Sequence, residues 1–294
     1  MQNYRVYGKE VIDIIVEIGL GASMKEWEPF ATDAAKEHGV LLYERYGINH
    51  SEESNQPRTP VNIAKELSRL LADIPHAARL IIIGHSQGGL YAGEFCLQNP
   101  NLVKGLILVD PLSPRDVEFC EQLTATEYKK SGVDKTGSFK MIQTMLKLGM
   151  KRFIRKQMKQ APPFYYYDGF TKEQEDDILS ALTKKSHLKT SLEEYACAHN
   201  KECLGELTKP GQTNEIPLVL ITHNSELAIK ENMEFGNNTR DFAQKIENMW
   251  QEIMKYYLTY SKKSLWVQAE KSTHYIHLTE PELIMKAVEE LEQK

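Results

Sequence analysis

A serine placed between a predicted strand and a predicted helix is the first candidate for chemistry in this sequence. Ser86 lies within residues 84–89, Gly-His-Ser-Gln-Gly-Gly. The aliphatic residues 80–83 predict a buried strand before this turn, and residues 87–98 predict a helix after it. Such a turn strains the serine backbone and presents its hydroxyl, provided that Gly84 and Gly88 leave room. The segment therefore predicts a nucleophile elbow with Ser86 as the nucleophile.

A serine nucleophile needs a base, and His274 has the most suitable position. It follows the predicted strand 265–269 and precedes the helix that begins at Pro281, so a short loop can carry its imidazole over the carboxyl edge of the sheet. His277 is the near competitor, and we predict that it packs beneath the same loop.

The oxyanion that forms on the substrate needs backbone N–H donors. The N-terminus of the helix after Ser86 directs the Gln87 N–H and a partial positive charge toward it. A second donor is expected in residues 19–23, Gly-Leu-Gly-Ala-Ser, after the strand that ends near Ile18. We predict that this donor is the Leu20 N–H.

The acid that orients the histidine has two candidates, because a carboxylate can follow either of two strands. Asp110 directly follows the predicted strand 105–109, one βαβ step after Ser86. Glu226 lies after the predicted strand 217–222. Their positions alone leave both open.

The elements around these residues alternate between strand and helix patterns, which predicts an α/β fold with a mostly parallel, doubly wound sheet. Residues 112–215 lack a convincing buried strand. We therefore predict a core domain of residues 1–111 and 216–294 with a helical cap inserted at 112–215. Thr279 and Glu282 have capping-box spacing at the start of the last helix. The predicted early elements are strands 11–18 and 40–45 and helices 26–38 and 61–73; the predicted late helix is 242–257.

Composition limits the class of protein and its partners. The hydrophobic fraction is 41%, the charged fraction is 26% and the formal net charge is −5. These values are typical of a globular protein and give no broad basic field for nucleic acid. The N-terminal residues do not resemble a signal peptide, and no apolar run is long enough to span a bilayer, so a cytoplasmic protein without integral membrane contact is expected.

We expect neither a metal nor an organic cofactor. The cysteines form no CxxC pair, and Cys197, His199 and Cys203 lack the companions of a tetrahedral zinc site. Helix packing is the favoured interpretation of these three residues.

Residues 141–158 mix apolar and basic side chains and lead toward a tyrosine cluster at 165–167. Such a segment can bind acyl chains or touch a lipid surface. We favour the simpler interpretation, in which it covers the pocket and leaves a basic face in solvent.

Four blocks in this order resemble the α/β-hydrolase superfamily, especially bacterial hydrolases with a Gly-x-Gly oxyanion loop. They are Gly19-Leu20-Gly21 followed by Trp27; residues 43–51, Tyr-Glu-Arg-Tyr-Gly-Ile-Asn-His-Ser; residues 105–111, Gly-Leu-Ile-Leu-Val-Asp-Pro; and residues 274–278, His-Tyr-Ile-His-Leu, together with the elbow itself. The departures are Ile18 where many relatives have histidine, Glu44 for aspartate and Asn49 for glycine. The first departure leaves the anchoring of the oxyanion loop open.

The resemblance implies acyl chemistry by a Ser-His-Asp/Glu triad. Relatives of the dehalogenase-like kind carry an acid at the position of Asp110, which favours Asp110 over Glu226. Haloalkane dehalogenases and epoxide hydrolases of this fold attack with aspartate, so Ser86 disfavours both activities. We predict a carboxylesterase-like serine hydrolase acting on a small-molecule acyl substrate. Alternatives are a thioesterase, lactonase, amidase, C–C hydrolase or acyltransferase with the same triad, or a non-catalytic ligand receptor of the same fold.

Overall fold

A seven-stranded sheet organises the chain. The computed structural model describes residues 1–211 and 215–293. The strand order is β1-β3-β2-β4-β5-β6-β7, with β1 antiparallel to β3 and every other pair parallel. The strands are β1 Tyr4–Gly8, β2 Ile12–Glu17, β3 Gly39–Tyr43, β4 His76–His85, β5 Val103–Val109, β6 Leu218–Thr222 and β7 Ser264–Gln268.

Helices cover both faces of the sheet, as expected when parallel strands are joined by crossovers. The helices are α1 Glu28–Ala34, α2 Pro60–Leu71, α3 Gly88–Gln98, α4 Glu118–Gln122, α5 Ala125–Lys130, α6 Thr136–Lys147, α7 Lys151–Met158, α8 Lys172–Ala181, α9 Lys185–Ala198, α10 Lys201–Leu204, α11 Ser225–Gly236, α12 Arg240–Met254, α13 Ile276–Thr279 and α14 Pro281–Glu292. Short 3-10 helices span Met24–Trp27, Pro100–Leu102, Gly205–Thr208 and Lys255–Thr259.

The central strand β4 shows why the aliphatic run predicts a strand buried on both faces. Leu80 and Ile82 pack into one hydrophobic core, whereas Ile81 and Ile83 pack into a second core on the other face. All four side chains are at most 3% exposed. Since neighbouring side chains point to opposite faces, an unbroken apolar run fills both cores.

The α/β fold class is confirmed, and several element bounds differ from the predicted ones. Strand β1 was missed, because it is an edge strand whose residues are exposed or half-buried. The predicted helix 26–38 divides into the 3-10 helix Met24–Trp27 and α1.

The predicted capping box at Thr279 is wrong. The N-cap of α14 is Glu280, without a side-chain cap, and the Thr279 hydroxyl donates to the Tyr275 carbonyl. The Glu280 carboxylate instead accepts bonds from the Lys271 N–H, at 2.8 Å, and from the Ser272 hydroxyl, at 2.5 Å. It therefore stabilises the loop that leads to His274.

The described residues between β5 and β6 form only helical elements, from α4 to the 3-10 helix Gly205–Thr208. The domain bounds at 111/112 and 215/216 stay a prediction. Within residues 1–211 and 215–293, no helix has both the length and the apolar character needed to cross a membrane.

Candidate active site

Ser86 occupies a strained turn between β4 and α3. Its φ is +52°, a conformation that is uncommon for a residue with a side chain. The Ser86 N–H donates to the Val109 carbonyl at 3.2 Å, and the Ser86 carbonyl accepts from the Leu112 N–H at 2.8 Å. The turn is thus held against the end of β5, which places Ser86 beside the strand that directly precedes Asp110.

The glycines that flank the turn are required by close packing. A Cβ on Gly84 would lie 2.7 Å from the Ala92 Cβ and 2.8 Å from the Gly89 Cα. A Cβ on Gly88 would lie 2.2 Å from the Glu17 carbonyl oxygen. The glycines therefore let α3 approach β4 and the end of β2.

Asp110 and His274 are in direct contact, although 164 positions separate them. The His274 Nδ1 lies 2.6 Å from the Asp110 Oδ2. Asp110 is 3% exposed, while the His274 side chain is 37% exposed. The carboxylate is thus buried behind an imidazole that still reaches the surface of the site.

The second Asp110 oxygen is held by His223, a residue that the sequence reasoning missed. The His223 backbone N–H and its Nδ1 lie 3.0 and 2.8 Å from the Asp110 Oδ1. The His223 Nε2 lies 3.0 Å from the Glu247 Oε2. His223 therefore sits between two buried carboxylates.

This arrangement favours charge on all three groups. Burial lowers the pKa of His223, but the charge and hydrogen bond of Asp110, together with Glu247, raise it to about 10. Burial raises the pKa of Asp110, but His223 and His274 together hold it well below its usual range. The sequence signal for His223 is its position directly after β6, where a side chain lies near the residue that follows β5.

Two further histidines lie beneath His274. The His85 Nε2 donates to the His274 carbonyl at 3.0 Å, and burial lowers the pKa of His85 to about 3. His277 stacks on Trp27 with ring centroids 4.3 Å apart, and burial lowers its pKa as well. The prediction that His277 packs under the loop is confirmed.

Arg45 anchors the predicted oxyanion loop from below. It is 1% exposed and donates to the Ile18 carbonyl at 2.7 Å and to the Gly19 carbonyl at 3.1 Å. Glu194 of α9 holds the guanidinium at 2.9 and 3.0 Å. The anchoring that Ile18 left open is thus provided by arginine.

The two predicted donors are Leu20, within this loop, and Gln87, which directly follows Ser86. A Cβ on Gly19 would lie 3.2 Å from the Ser86 Cβ, so the loop passes directly beside the serine. Gly21 has φ +63°, and its carbonyl oxygen lies 3.0 Å from the His187 Nε2. Neither the Leu20 nor the Gln87 backbone N–H donates to another residue within the described part of the chain.

The alternative acid Glu226 is bonded to Arg240 and not to His274. It is exposed in the first turn of α11, and both of its oxygens accept from Arg240, at 2.8 and 3.0 Å. The structure therefore pairs His274 with Asp110.

Of the trio Cys197, His199 and Cys203, the histidine pairs with a carboxylate and Cys197 is half-buried. The His199 Nε2 lies 2.8 Å from Asp116, and burial raises the pKa of Cys197 to about 12. Among the described residues, the one group with metal-ligand spacing is Asp13, His38 and Glu292. Asp13 lies near the start of β2, at the opposite end of the strands from Ser86.

Comparisons with known proteins agree with this fold. The sequence pattern of the alpha/beta hydrolase fold matches residues 14–129. Protein YqjL of Bacillus subtilis (strain 168) is 24% identical over 282 residues, which cover 96% of this chain and 83% of YqjL. An AB hydrolase superfamily protein of Gibberella zeae is 20% identical over 283 residues, which cover 93% of this chain and 84% of that protein.

A solved structure of epoxide hydrolase CorEH matches with a TM-score of 0.65 and 15% sequence identity. The match covers 99% of this chain and 94% of the CorEH chain. The chain has the α/β-hydrolase fold, as the resemblance of its sequence implied. The fold and its hydrolase-named relatives support a hydrolase.

Proposed function

We propose that this protein is a serine hydrolase that cleaves a carboxylic ester or a related acyl bond. The observation that carries the proposal is the strained Ser86, with φ +52°, held against the end of the strand whose next residue, Asp110, bonds His274. A protein that only bound ligands would have no use for this strain, which costs about 1–3 kcal/mol.

The reaction follows from the roles of these side chains. Ser86 Oγ attacks the substrate carbonyl while the His274 Nε2 takes its proton, and the N–H groups of Leu20 and Gln87 hold the oxyanion. The C–O bond to the leaving group then breaks, and His274 returns the proton to that group. Water, deprotonated by His274, releases the acyl group as a carboxylic acid and restores Ser86.

His223 is part of this proposal as a positioning residue. Since its N–H groups occupy the Asp110 Oδ1, the Oδ2 is left to face His274. Asp110, together with Glu247, keeps His223 protonated, and the imidazolium in turn keeps Asp110 ionised. The acid is therefore fixed in both orientation and charge before substrate binds.

The helical segment 112–215 is proposed as the cap of the site. Its Phe170 and Ile178 pack against Leu278, four residues after His274. The Phe139 Cζ would lie 3.8 Å from a Cβ on Gly21 in the oxyanion loop. These contacts bring apolar side chains over the histidine loop and suit a substrate with an apolar acyl part.

The similarity to an epoxide hydrolase concerns the fold alone at 15% identity. Ser86 provides a neutral hydroxyl that requires a base, which suits a carbonyl substrate better than an epoxide. A ligand receptor of the same fold is the second candidate, and only reactivity separates it from an enzyme.

The test is labelling by a fluorophosphonate probe, with the adduct mapped by mass spectrometry. We expect one adduct, on Ser86, and hydrolysis of p-nitrophenyl acyl esters of graded chain length. Ser86→Ala should lose both, while Ser225→Ala, a matched serine at the start of α11, should keep both. No adduct and no turnover of any ester would overturn the proposal in favour of the receptor.

A further inference from the structure

One segment of the chain is strongly basic although the whole chain is acidic. Residues 135–167 contain eight lysine and arginine residues and no aspartate or glutamate, whereas the formal charge of the chain is −5. Helices α6 and α7 lie within this segment, contact each other and are joined by a turn in which Gly149 has φ +76°. We call residues 140–156 the basic hairpin.

Two basic residues at the end of α7 pair with carboxylates of α8, whereas five others have no carboxylate partner in the described residues. Arg155 pairs with Asp176 at 2.7 Å, and Lys159, just after the hairpin, pairs with Glu175 at 2.6 Å, so α7 is fastened to α8. Five exposed basic side chains of the hairpin pair with no carboxylate in the described residues: Lys140, Lys147, Lys151, Arg152 and Lys156.

Large apolar side chains lie exposed among these free cations. Eleven large hydrophobic residues are exposed in the described part of the chain, and four of them fall between positions 141 and 153. They are Met141, Leu148, Met150 and Phe153, at 59%, 72%, 37% and 48% exposure. A helix pair that only covered a pocket would bury such residues, so the covering interpretation leaves them unexplained.

We propose that the basic hairpin binds the surface of an anionic lipid bilayer. Leu148, Met150 and Phe153 enter the interface at the turn, and the five free cations contact the headgroups. Apolar tips flanked by lysine and arginine are the combination that gains both from burial among acyl chains and from a negative surface. A soluble acidic partner would satisfy the cations but would leave less reason for the apolar tip.

The hairpin is close to the candidate active site. Phe139, on the same helix as Lys140 and Met141, reaches the oxyanion loop at Gly21. A bilayer under the turn would therefore lie one helix away from Ser86. Binding itself does not depend on the proposed acyl chemistry, so the two proposals can fail separately.

The test is co-sedimentation of the full chain with vesicles of phosphatidylcholine alone or mixed with phosphatidylglycerol. We expect binding to the mixed vesicles that weakens as salt is raised, because exposed charges are screened within about 8 Å at 0.15 M salt. The triple variant Lys147→Gln, Lys151→Gln, Arg152→Gln should bind at least about tenfold more weakly. The matched control Lys9→Gln, Lys65→Gln, Lys286→Gln alters exposed lysines elsewhere and should bind as the wild type does.

The apolar part is tested by Leu148→Ser with Phe153→Ser, which should also reduce binding to the mixed vesicles. In addition, Phe153→Trp should show tryptophan emission that shifts to shorter wavelength on vesicles and is quenched by brominated lipid. No binding to mixed vesicles would overturn the proposal. The proposal would also be overturned if the Leu148→Ser, Phe153→Ser variant bound mixed vesicles as the wild type does and poly-glutamate captured the protein. That outcome identifies a soluble acidic partner. Circular dichroism and fluorophosphonate labelling of each variant distinguish lost folding from lost binding.

Discussion

The charged groups around Asp110, at the carboxyl ends of β5 and β6, and those of the basic hairpin are arranged in opposite ways. At the sheet edge, Glu247, His223 and Asp110 are buried and each ion has a partner within 3.0 Å. On the hairpin, side chains such as Lys147 and Lys151 are exposed and have no carboxylate partner in the described residues.

This difference separates charges that the fold itself requires from charges that are available to bind another molecule. A buried ion without its partner costs several kcal/mol, so the sheet-edge charges must be satisfied within the fold. An exposed ion costs almost nothing and contributes little to stability, so it is free to meet another molecule. Substitutions around Asp110 should therefore change stability and catalysis, whereas substitutions in the basic hairpin should change binding to another molecule.

The largest effect is expected for Asp110→Asn. The amide has nearly the same shape but presents its N–H₂ or its oxygen to His274 without charge, so kcat should fall by about 10⁴-fold, as when a triad acid is neutralised. Ester hydrolysis measured at saturating substrate checks this. Glu226→Gln is the matched control and should keep wild-type kcat; equal losses in the two variants would contradict the assignment of the acid.

His223→Gln tests the second partner of Asp110. Leaving two buried carboxylates with a neutral amide between them should lower the free energy of unfolding by about 3 kcal/mol at pH 7. Since the folded pKa of His223, about 10, exceeds its ordinary value of 6.5, its stabilisation is full below pH 6.5 and is lost as the pH rises through 10. The deficit of the variant against wild type should therefore shrink between pH 7 and pH 10.

Urea denaturation at both pH values measures that deficit. A structural role alone would give the stability result, so the kcat/KM profile is needed too. Without the imidazolium, Asp110 directs its full charge at His274, and the acid limb of the profile should move to higher pH. An unmoved limb would reduce His223 to a packing residue. His38→Gln, at the other end of the sheet, is the control for removing a buried histidine.

Arg45→Lys tests the anchor of the oxyanion loop. Lysine keeps the charge near Glu194 but cannot bond the Ile18 and Gly19 carbonyls while also holding Glu194 in two places. We expect kcat for esters to fall up to about a hundredfold through misplacement of the loop, with KM changed less. Arg79→Lys, at a carbonyl of β5 far from Ser86, should leave kcat unchanged.

The smallest effect is expected on the hairpin. The triple variant Lys147→Gln, Lys151→Gln, Arg152→Gln should keep the free energy of unfolding within about 0.5 kcal/mol of wild type, because the altered charges are exposed and unpaired. Its hydrolysis of soluble p-nitrophenyl esters should also be unchanged. A large loss of stability would mean that these residues hold the fold, and would remove the contrast between the two regions.

Much of this fold was predictable because local patterns decide it. The aliphatic run of β4 predicts a buried strand, and the glycine-rich sequence around Ser86 predicts a strained turn. The edge strand β1 was not predictable in the same way, since its half-exposed residues have no apolar run. The helix start at Pro281 was found, but its cap was misassigned because Glu280 is engaged with the preceding loop.

The sequence by itself determined the fold class, the turn at Ser86 and the order in which Asp110 and His274 follow it. Each depends on residues that are neighbours in the chain, where sterics and periodicity act directly. Tertiary structure alone placed His274 beside Asp110 and Glu226 beside Arg240, brought His223 and Glu247 to Asp110, and placed Arg45 under the predicted oxyanion loop. Those contacts join distant positions, and only the packing of strands and helices sets the distances on which charge and hydrogen bonding depend.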